Sequence, residues 1–250
     1  MNPRVFFYSL TIIVKRDLVA HFSSLSNNFI SFLYFITGVV FWAASLGRLV
    51  SLPGYFQFLI VGLMILGVYN TSFYYMNVVS REVRKGYLKY LLALPISRGG
   101  FTLGRVLTGA LTGMTYVAGL FIFAALVMGL PTVTGALVII SAVAACSFCL
   151  SSLGIAIAMH FKQEMIDPVS DILGLSLIFT STLFYPRELM PGPLKVISSA
   201  NVLSAGANLM RAGFGLEQTS LQDAIVILGW SVIFGILSIR GYYKRLEELR

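Results

Sequence analysis

Charged residues fall along this chain in clusters separated by long uncharged stretches, and that spacing sets the expected elements. No Asp, Glu, Lys or Arg occurs from Leu18 to Gly47, from Leu49 to Ser80, or from Val106 to Phe161. A helix crossing a ~30 Å hydrocarbon core needs roughly 20 apolar residues, so the first two stretches predict one span each, at about 27–47 and 55–78. The third stretch holds two, because Gly129-Leu130-Pro131 is a turn signal that divides it, giving spans at about 104–129 and 132–160. Two shorter uncharged stretches, 172–186 and 224–239, predict a fifth span from Pro168, at 168–186, and a sixth at about 220–239. Residues 4–25 differ. Arg4 precedes an apolar run from Val5 to Val14, but Lys15-Arg16-Asp17 follows without the small-residue site at which a signal peptide is cut. The pattern predicts an amphipathic helix in the inner interface, with Phe6, Phe7 and Leu10 in lipid.

Composition narrows the class. Hydrophobic residues are 57% and charged residues 11% of the 250, against about 45–50% and about 25% in soluble domains. A soluble fold, a disordered chain and a disulfide-rich secreted domain are excluded together. The expected fold is an all-α integral membrane protein, a single transmembrane domain over 1–250. The net charge of +8 sorts by loop. Arg4, Lys15, Arg16, Arg81, Arg84, Lys85, Lys89, Arg98, Arg105, Lys162, Arg240, Lys244, Arg245 and Arg250 fall on one side of a six-span topology; only Arg48, Arg187, Lys195 and Arg211 fall on the other. By the positive-inside rule both termini are cytoplasmic, and the basic balance reflects topology, with no nucleic-acid partner expected.

Few residues suggest chemistry. Cys146 and Cys149 form a CxxC inside an apolar run, where cysteine serves as a small packing residue. No HExxH, GxSxG or mid-span acid cluster occurs. Gly100–Gly104 and Gly109–Gly113 are GxxxG pairs, expected to make close helix contacts within the subunit. Asp167 and Asp171 flank Pro168, where carboxylates suit the positive end of a helix. Interfacial belts and packing account for most of the aromatic residues of the first two spans; the sharper reading makes Tyr34 and Trp42 of the first span and Tyr69 and Phe73 of the second candidates for an aromatic-lined path. Tyrosine there offers a face for stacking and a hydroxyl for sugar oxygens.

Two segments are not spans. From Arg81 to Arg98 the chain reads REVRKGYLKYLLALPISR. Val83, Tyr87, Tyr90, Leu91 and Leu94 recur at helical spacing with Arg81, Arg84, Lys85 and Lys89 around them. Pro95 stops the pattern. This is either an ordinary basic inner loop or a short surface helix that docks into a groove of a soluble partner. The outer segment 186–219 is too long for an idle connection. It predicts a helical hairpin that dips into the outer leaflet and returns, its backbone shielded by neighbouring spans; a mobile outer loop is the other reading.

These two segments, in this order, resemble the transmembrane subunits of type-2 ABC exporters, of the drug, lipo-oligosaccharide and polysaccharide branch. The first carries Glu82, Gly86, Leu88, Leu91, Leu92 and Pro95 where the family has a Glu, a Gly and a leucine-rich stretch ending in Pro. The second carries Pro186, Glu188, Leu189, Pro191, Asn201, Leu203 and Arg211, with Val202 where the family has a proline after the Asn. The resemblance implies a permease that dimerises, most simply with a second copy of itself, and binds two cytosolic ABC ATPase subunits. It implies a coupling helix over Arg81–Pro95 (Arg81, Glu82, Arg84, Lys85, Gly86, Tyr87, Leu88, Leu91, Pro95) and an outer hairpin that gates the exit. It further implies outward movement of an amphipathic substrate (a drug, a lipid or a lipid-linked saccharide) across a bacterial or archaeal plasma membrane. No GxxxxGK[ST] occurs, nor any Gly-Lys dipeptide, so no phosphate-cradling loop is present. No cofactor is expected in this chain, ATP and Mg falling to the partner subunit, and the chain is not expected to be an enzyme. Two other readings remain at this stage: an ion-coupled secondary transporter or channel, which calls for mid-span ionisable groups, and a non-transporting membrane assembly subunit.

Overall fold

The computed structural model describes residues 3–23, 33, 36–38, 41, 45, 53–87 and 97–247. The expected first span, with Tyr34 and Trp42, therefore lies largely outside the described residues, as do Leu88, Leu91 and Pro95. Among the described residues the regular structure is entirely helical: α1 (Pro3–Ser23), α2 (Tyr55–Arg84), α3 (Arg98–Met128), α4 (Val133–His160), α5 (Gln163–Phe179), a 3-10 turn (Arg187–Leu189), α6 (Gly192–Ser199), α7 (Val202–Gly213) and α8 (Leu221–Glu247). Four of these, α2, α3, α4 and α8, are long and apolar enough to cross a membrane.

Local chemistry sets most of the helix ends. The Ser97 hydroxyl accepts from the Gly100 amide and starts α3, two turns earlier than the charge pattern predicts; Arg105 thus lies inside the helix and not in an inner loop. Thr132 starts α4 in the same way, accepting from the Gly135 amide. Gly129 (φ 88) and Pro131 make the break between them. At the inner end of α2 the expectation of one helix from Arg81 to Pro95 is corrected. Arg81–Arg84 is the last turn of α2, and the helix stops at Lys85-Gly86, where Gly86 has φ 73. That left-handed conformation suits glycine and interrupts a helix. A helical residue returns at Tyr87.

The fifth helix is also displaced from its expected 168–186. It starts at Gln163, accommodates Pro168 one turn in, and ends at Phe179. The chain stops there because hydroxyls turn back on its last carbonyls: Thr180 Oγ1 donates to Ser176 O (2.7 Å) and Ser181 Oγ to Ile178 O (2.6 Å). At 17 residues it extends only about 25 Å.

α4 is the central post. Cys146, Ser147, Cys149, Leu150, Ser151 and Ser152 are wholly buried, and α4 packs against α2, α3, α7 and α8. Both cysteines are free. Outward-facing Ile122 and Leu126 of α3, Leu137 and Ile140 of α4, and Ile225, Leu228, Val232 and Ile236 of α8 form the apolar exterior that a bilayer requires. The two GxxxG pairs serve different neighbours. Gly100 and Gly104 admit α1, with Phe6 O 2.5 Å and the Ile13 Cβ 3.2 Å from where their own Cβ atoms would sit. Gly109 and Gly113 admit Ser151 and Ser147 of α4 together with Tyr75 and Ser72 of α2.

Gly62 of α2 lies so close to the non-helical stretch after α5 that an added Cβ would stand 2.0 Å from Leu183 O. Gly62→Ala is therefore expected to force a backbone shift and destabilise by about 1–3 kcal/mol. Gly229→Ala on α8, where nothing lies within 4 Å, is expected to stabilise by about 0.5–1 kcal/mol through helix propensity. Thermal unfolding of the two purified variants in detergent checks the contrast.

Candidate functional site: a charge junction and a helical hairpin

Asp17 and Glu82 are the only acidic residues before Glu164, and the fold brings both to one arginine. Arg105 sits on α3 one turn beyond Phe101, its side chain 2% exposed. Its Nη1 donates to Asp17 Oδ2 of α1 at 3.0 Å and to the Tyr75 hydroxyl of α2 at 3.2 Å. Its Nη2 donates to Glu82 Oε2. Tyr75 in turn donates to Asp17 Oδ2 at 2.5 Å. The other Glu82 oxygen receives Arg16 Nη2 at 3.3 Å, and Arg16 also pairs with Asp17 at 2.8 Å. Two positive and two negative groups thus balance where α1, α2 and α3 meet, with the Phe101 ring 5.2 Å from the guanidinium.

Glu82, expected in the coupling segment, is therefore turned inward. Arg81, Arg84, Lys85 and Tyr87, expected beside it, are exposed at the same end of α2. Ser80 Oγ donates to Gln163 Oε1 (2.8 Å), tying this end to the start of α5. Asp17, Tyr75 and Arg105 were not among the residues singled out from sequence. The signal that finds them is register: Phe101, Arg105, Thr108 and Thr112 recur at helical spacing and all are buried, so a charge on that face needs buried partners.

The outer segment folds as α6 and α7 joined at Ala200-Asn201. Trp230 Nε1 donates to Ala200 O at 2.8 Å, which puts the hairpin tip beside a residue about 14 Å along α8 from its start. Cys146, in the middle of α4, lies 4.0 Å from Val202 O. Asn201 supplies the polar groups such a tip needs. Its Oδ1 accepts from the Leu203 amide (2.8 Å), while its Nδ2 donates to Leu177 O (2.7 Å) and Thr180 Oγ1 (2.9 Å). Val202, where the resemblance leads one to expect proline, is the first residue of α7. An amide at that position has no intrahelical partner in any case, so the cap forms without the proline.

Arg211, 1% exposed, holds the far end of α7. It donates to Thr182 O (2.7 Å), Asn208 Oδ1 (3.2 Å) and Phe58 O (3.4 Å), and its guanidinium carbon lies 3.5 Å from the Phe58 ring centroid. Tyr55 donates to Phe184 O at 2.7 Å. The non-helical stretch from Thr180 to Tyr185 thus finds side-chain donors on α2 and α7 for its exposed carbonyls. Glu217, 3.9 Å from Arg211, has its carboxyl pushed up chiefly by burial, against the pull of that arginine. Leu203 is fully buried, whereas Pro186 and Pro191 cap the 3-10 turn and α6, and Glu188 is exposed. Of the expected substrate-path residues, Tyr69 and Phe73 are buried and stacked, centroids 5.0 Å apart. The Tyr69 hydroxyl fills the space over Gly174 of α5, 2.0 Å from where a Cβ would stand.

A family model described as ABC-2 type transporter matches residues 8–214, which include both the inner junction and the outer hairpin. A comparison with curated proteins gave no match.

Removing Arg105 leaves Asp17 and Glu82 facing each other with only the half-exposed Arg16 to neutralise them. Arg105→Ala is expected to cost about 3–5 kcal/mol, the range for breaking a buried charge pair. Asn201→Ala, which removes a cap and uncovers Leu177 O, is expected to cost about 1–2 kcal/mol. Unfolding midpoints of the detergent-purified variants rank the two.

Proposed function

Because the chain belongs to the ABC-2 type transporter family, and is accordingly the multi-pass membrane permease of an ABC transporter, we propose that it exports an amphipathic substrate using ATP hydrolysed by a separate subunit. The substrate classes in view are drugs, lipids and lipid-linked saccharides. Two ATPase subunits, carrying the ATP and Mg, would sit beneath a pair of permeases, most simply two copies of this chain. Both termini would then lie on the cytoplasmic side, in a plasma or inner membrane.

The observation that carries this reading is the inner end of α2. There the helix stops at Gly86 and leaves Arg81, Arg84, Lys85 and Tyr87 exposed beyond the apolar bundle. A basic, partly apolar projection of that kind suits a groove on a soluble partner, and the coupling segment would continue through Leu88, Leu91 and Pro95. The outer hairpin of α6 and α7 would form the exit side, with the stretch after α5 held by Arg211 and Asn201. A substrate path along Tyr34, Trp42, Tyr69 and Phe73 requires α5 to draw away from α2, because the Tyr69–Phe73 stack now packs against Gly174.

Proline locks φ near −65° and cannot adopt the φ of 73 found at Gly86. Gly86→Pro is expected to insert normally into the membrane while losing permease-dependent stimulation of the partner ATPase. Membrane yield, co-purification and ATP hydrolysis by the reconstituted complex check this. Wild-type levels of stimulation in the variant would remove the coupling role of this segment.

A further inference from the structure

The attachments of α1 at the inner junction are of two kinds. Along α3 it lies in a seam of close backbone contact at Gly100 and Gly104, with the Ser97 amide donating to Ser9 Oγ at 2.9 Å. That seam contains no charge. Toward α2 its bonds at the junction are polar: Asp17 to Tyr75, and Arg16 to Glu82. Arg105 belongs to α3 but grips both sides, one terminal nitrogen on Asp17 and the other on Glu82. Glu82 stands one turn before the break at Gly86. The carboxylate that Arg105 and Arg16 hold therefore gives a load at Gly86 a direct route to α3 and α1.

From this geometry we propose that Arg105 is a positioning residue that joins α1, the inner end of α2 and the start of α3 into one lever, which the ATPase moves as a unit. The inference rests on the coupling role assigned above to the segment at Gly86. It adds that α1 does not slide against the spans but travels with them. It also adds that charge alone at position 105 is insufficient. A guanidinium presents two nitrogens in a fixed fork, able to hold two carboxylates apart at set positions, whereas an ammonium is a single point of charge.

The test uses the permease reconstituted with its ATPase and reads permease-dependent stimulation of ATP hydrolysis together with co-purification. Arg105→Lys keeps the charge and loses the fork; it is expected to keep the ATPase bound and lose the stimulation. Glu82→Gln, nearly the same shape as the native residue, is expected to do the same and serves where the lysine variant does not fold. In a third variant Ile13→Cys and Gly104→Cys are combined, at positions whose Cβ atoms would stand 3.2 Å apart, within a few tenths of an ångström of disulfide geometry. Cys146 and Cys149 are fully buried in α4 and do not compete. Oxidation should lock α1 to α3 and leave the stimulation as it is in the reduced protein.

Loss of stimulation on oxidation would show that α1 has to slide, and would overturn the proposal. Full stimulation in Arg105→Lys and Glu82→Gln would overturn it too, as would loss of the ATPase from both complexes. Absence of stimulation in the wild-type complex would instead remove the ATPase-coupled reading on which the lever depends.

Discussion

A guanidinium can lie inside an apolar bundle only if acceptors come to meet it, and at Arg105 those acceptors are two carboxylates whose arrival organises the end of the bundle where α1, α2 and α3 meet. Moving an isolated charge out of water costs far more than any packing contact returns. Burying Arg105 therefore obliges Asp17 to arrive from one helix and Glu82 from another. Helix α1, the end of α2 and the beginning of α3 are brought to fixed positions by that need. Small residues then let the backbones close around the charges: Gly100 and Gly104 under α1, Gly109 and Gly113 under α2 and α4.

The opposite end of the bundle answers a related demand with different groups. A chain that leaves its helix at membrane depth exposes carbonyls that lipid cannot satisfy. Here Asn201 donates to Leu177 O in the last turn of α5, and after Phe179 the carbonyls of Thr182 and Phe184 meet the side chains of Arg211 and Tyr55. The hairpin of α6 and α7 thus completes the end of α5, and without it the stretch from Thr180 to Tyr185 would have no acceptable surroundings. Arg211 resembles Arg105 in being buried, but its partners are mainly carbonyls and amides, with a single carboxylate 3.9 Å away. One arginine links ionic groups; the other caps backbone.

Much of this was legible in the sequence. Charge-free runs located α2, α3, α4 and α8 because a helix in lipid excludes ionised side chains over its length. The length of the segment 186–219 pointed to more than a plain connection, and it holds α6 and α7. What failed was the treatment of charge as an end marker. Arg105 reads as the last basic residue of an inner loop, yet Ser97 caps α3 two turns earlier and draws Arg105 inside. The break at Gly86 was hidden because Val83, Tyr87 and Tyr90 keep helical spacing across it, and spacing carries no information about a positive φ. The limits of α5 were misjudged because Asp167 and Asp171 look like a boundary, whereas both are exposed within the helix. The convergence of Asp17 and Glu82 was available in principle, since two acids in so long a stretch of chain need an accounting.

Trp230 lies against the carbonyl of Ala200 at the tip of the hairpin, and it is one of only two tryptophans in the chain. Indole emission shifts in wavelength with the polarity and hydrogen bonding around its nitrogen. The protein therefore carries its own optical gauge of how the turn between α6 and α7 sits against α8, and replacing Trp42 with phenylalanine would leave that signal to a single fluorophore. Movements of this hairpin become observable in unlabelled material.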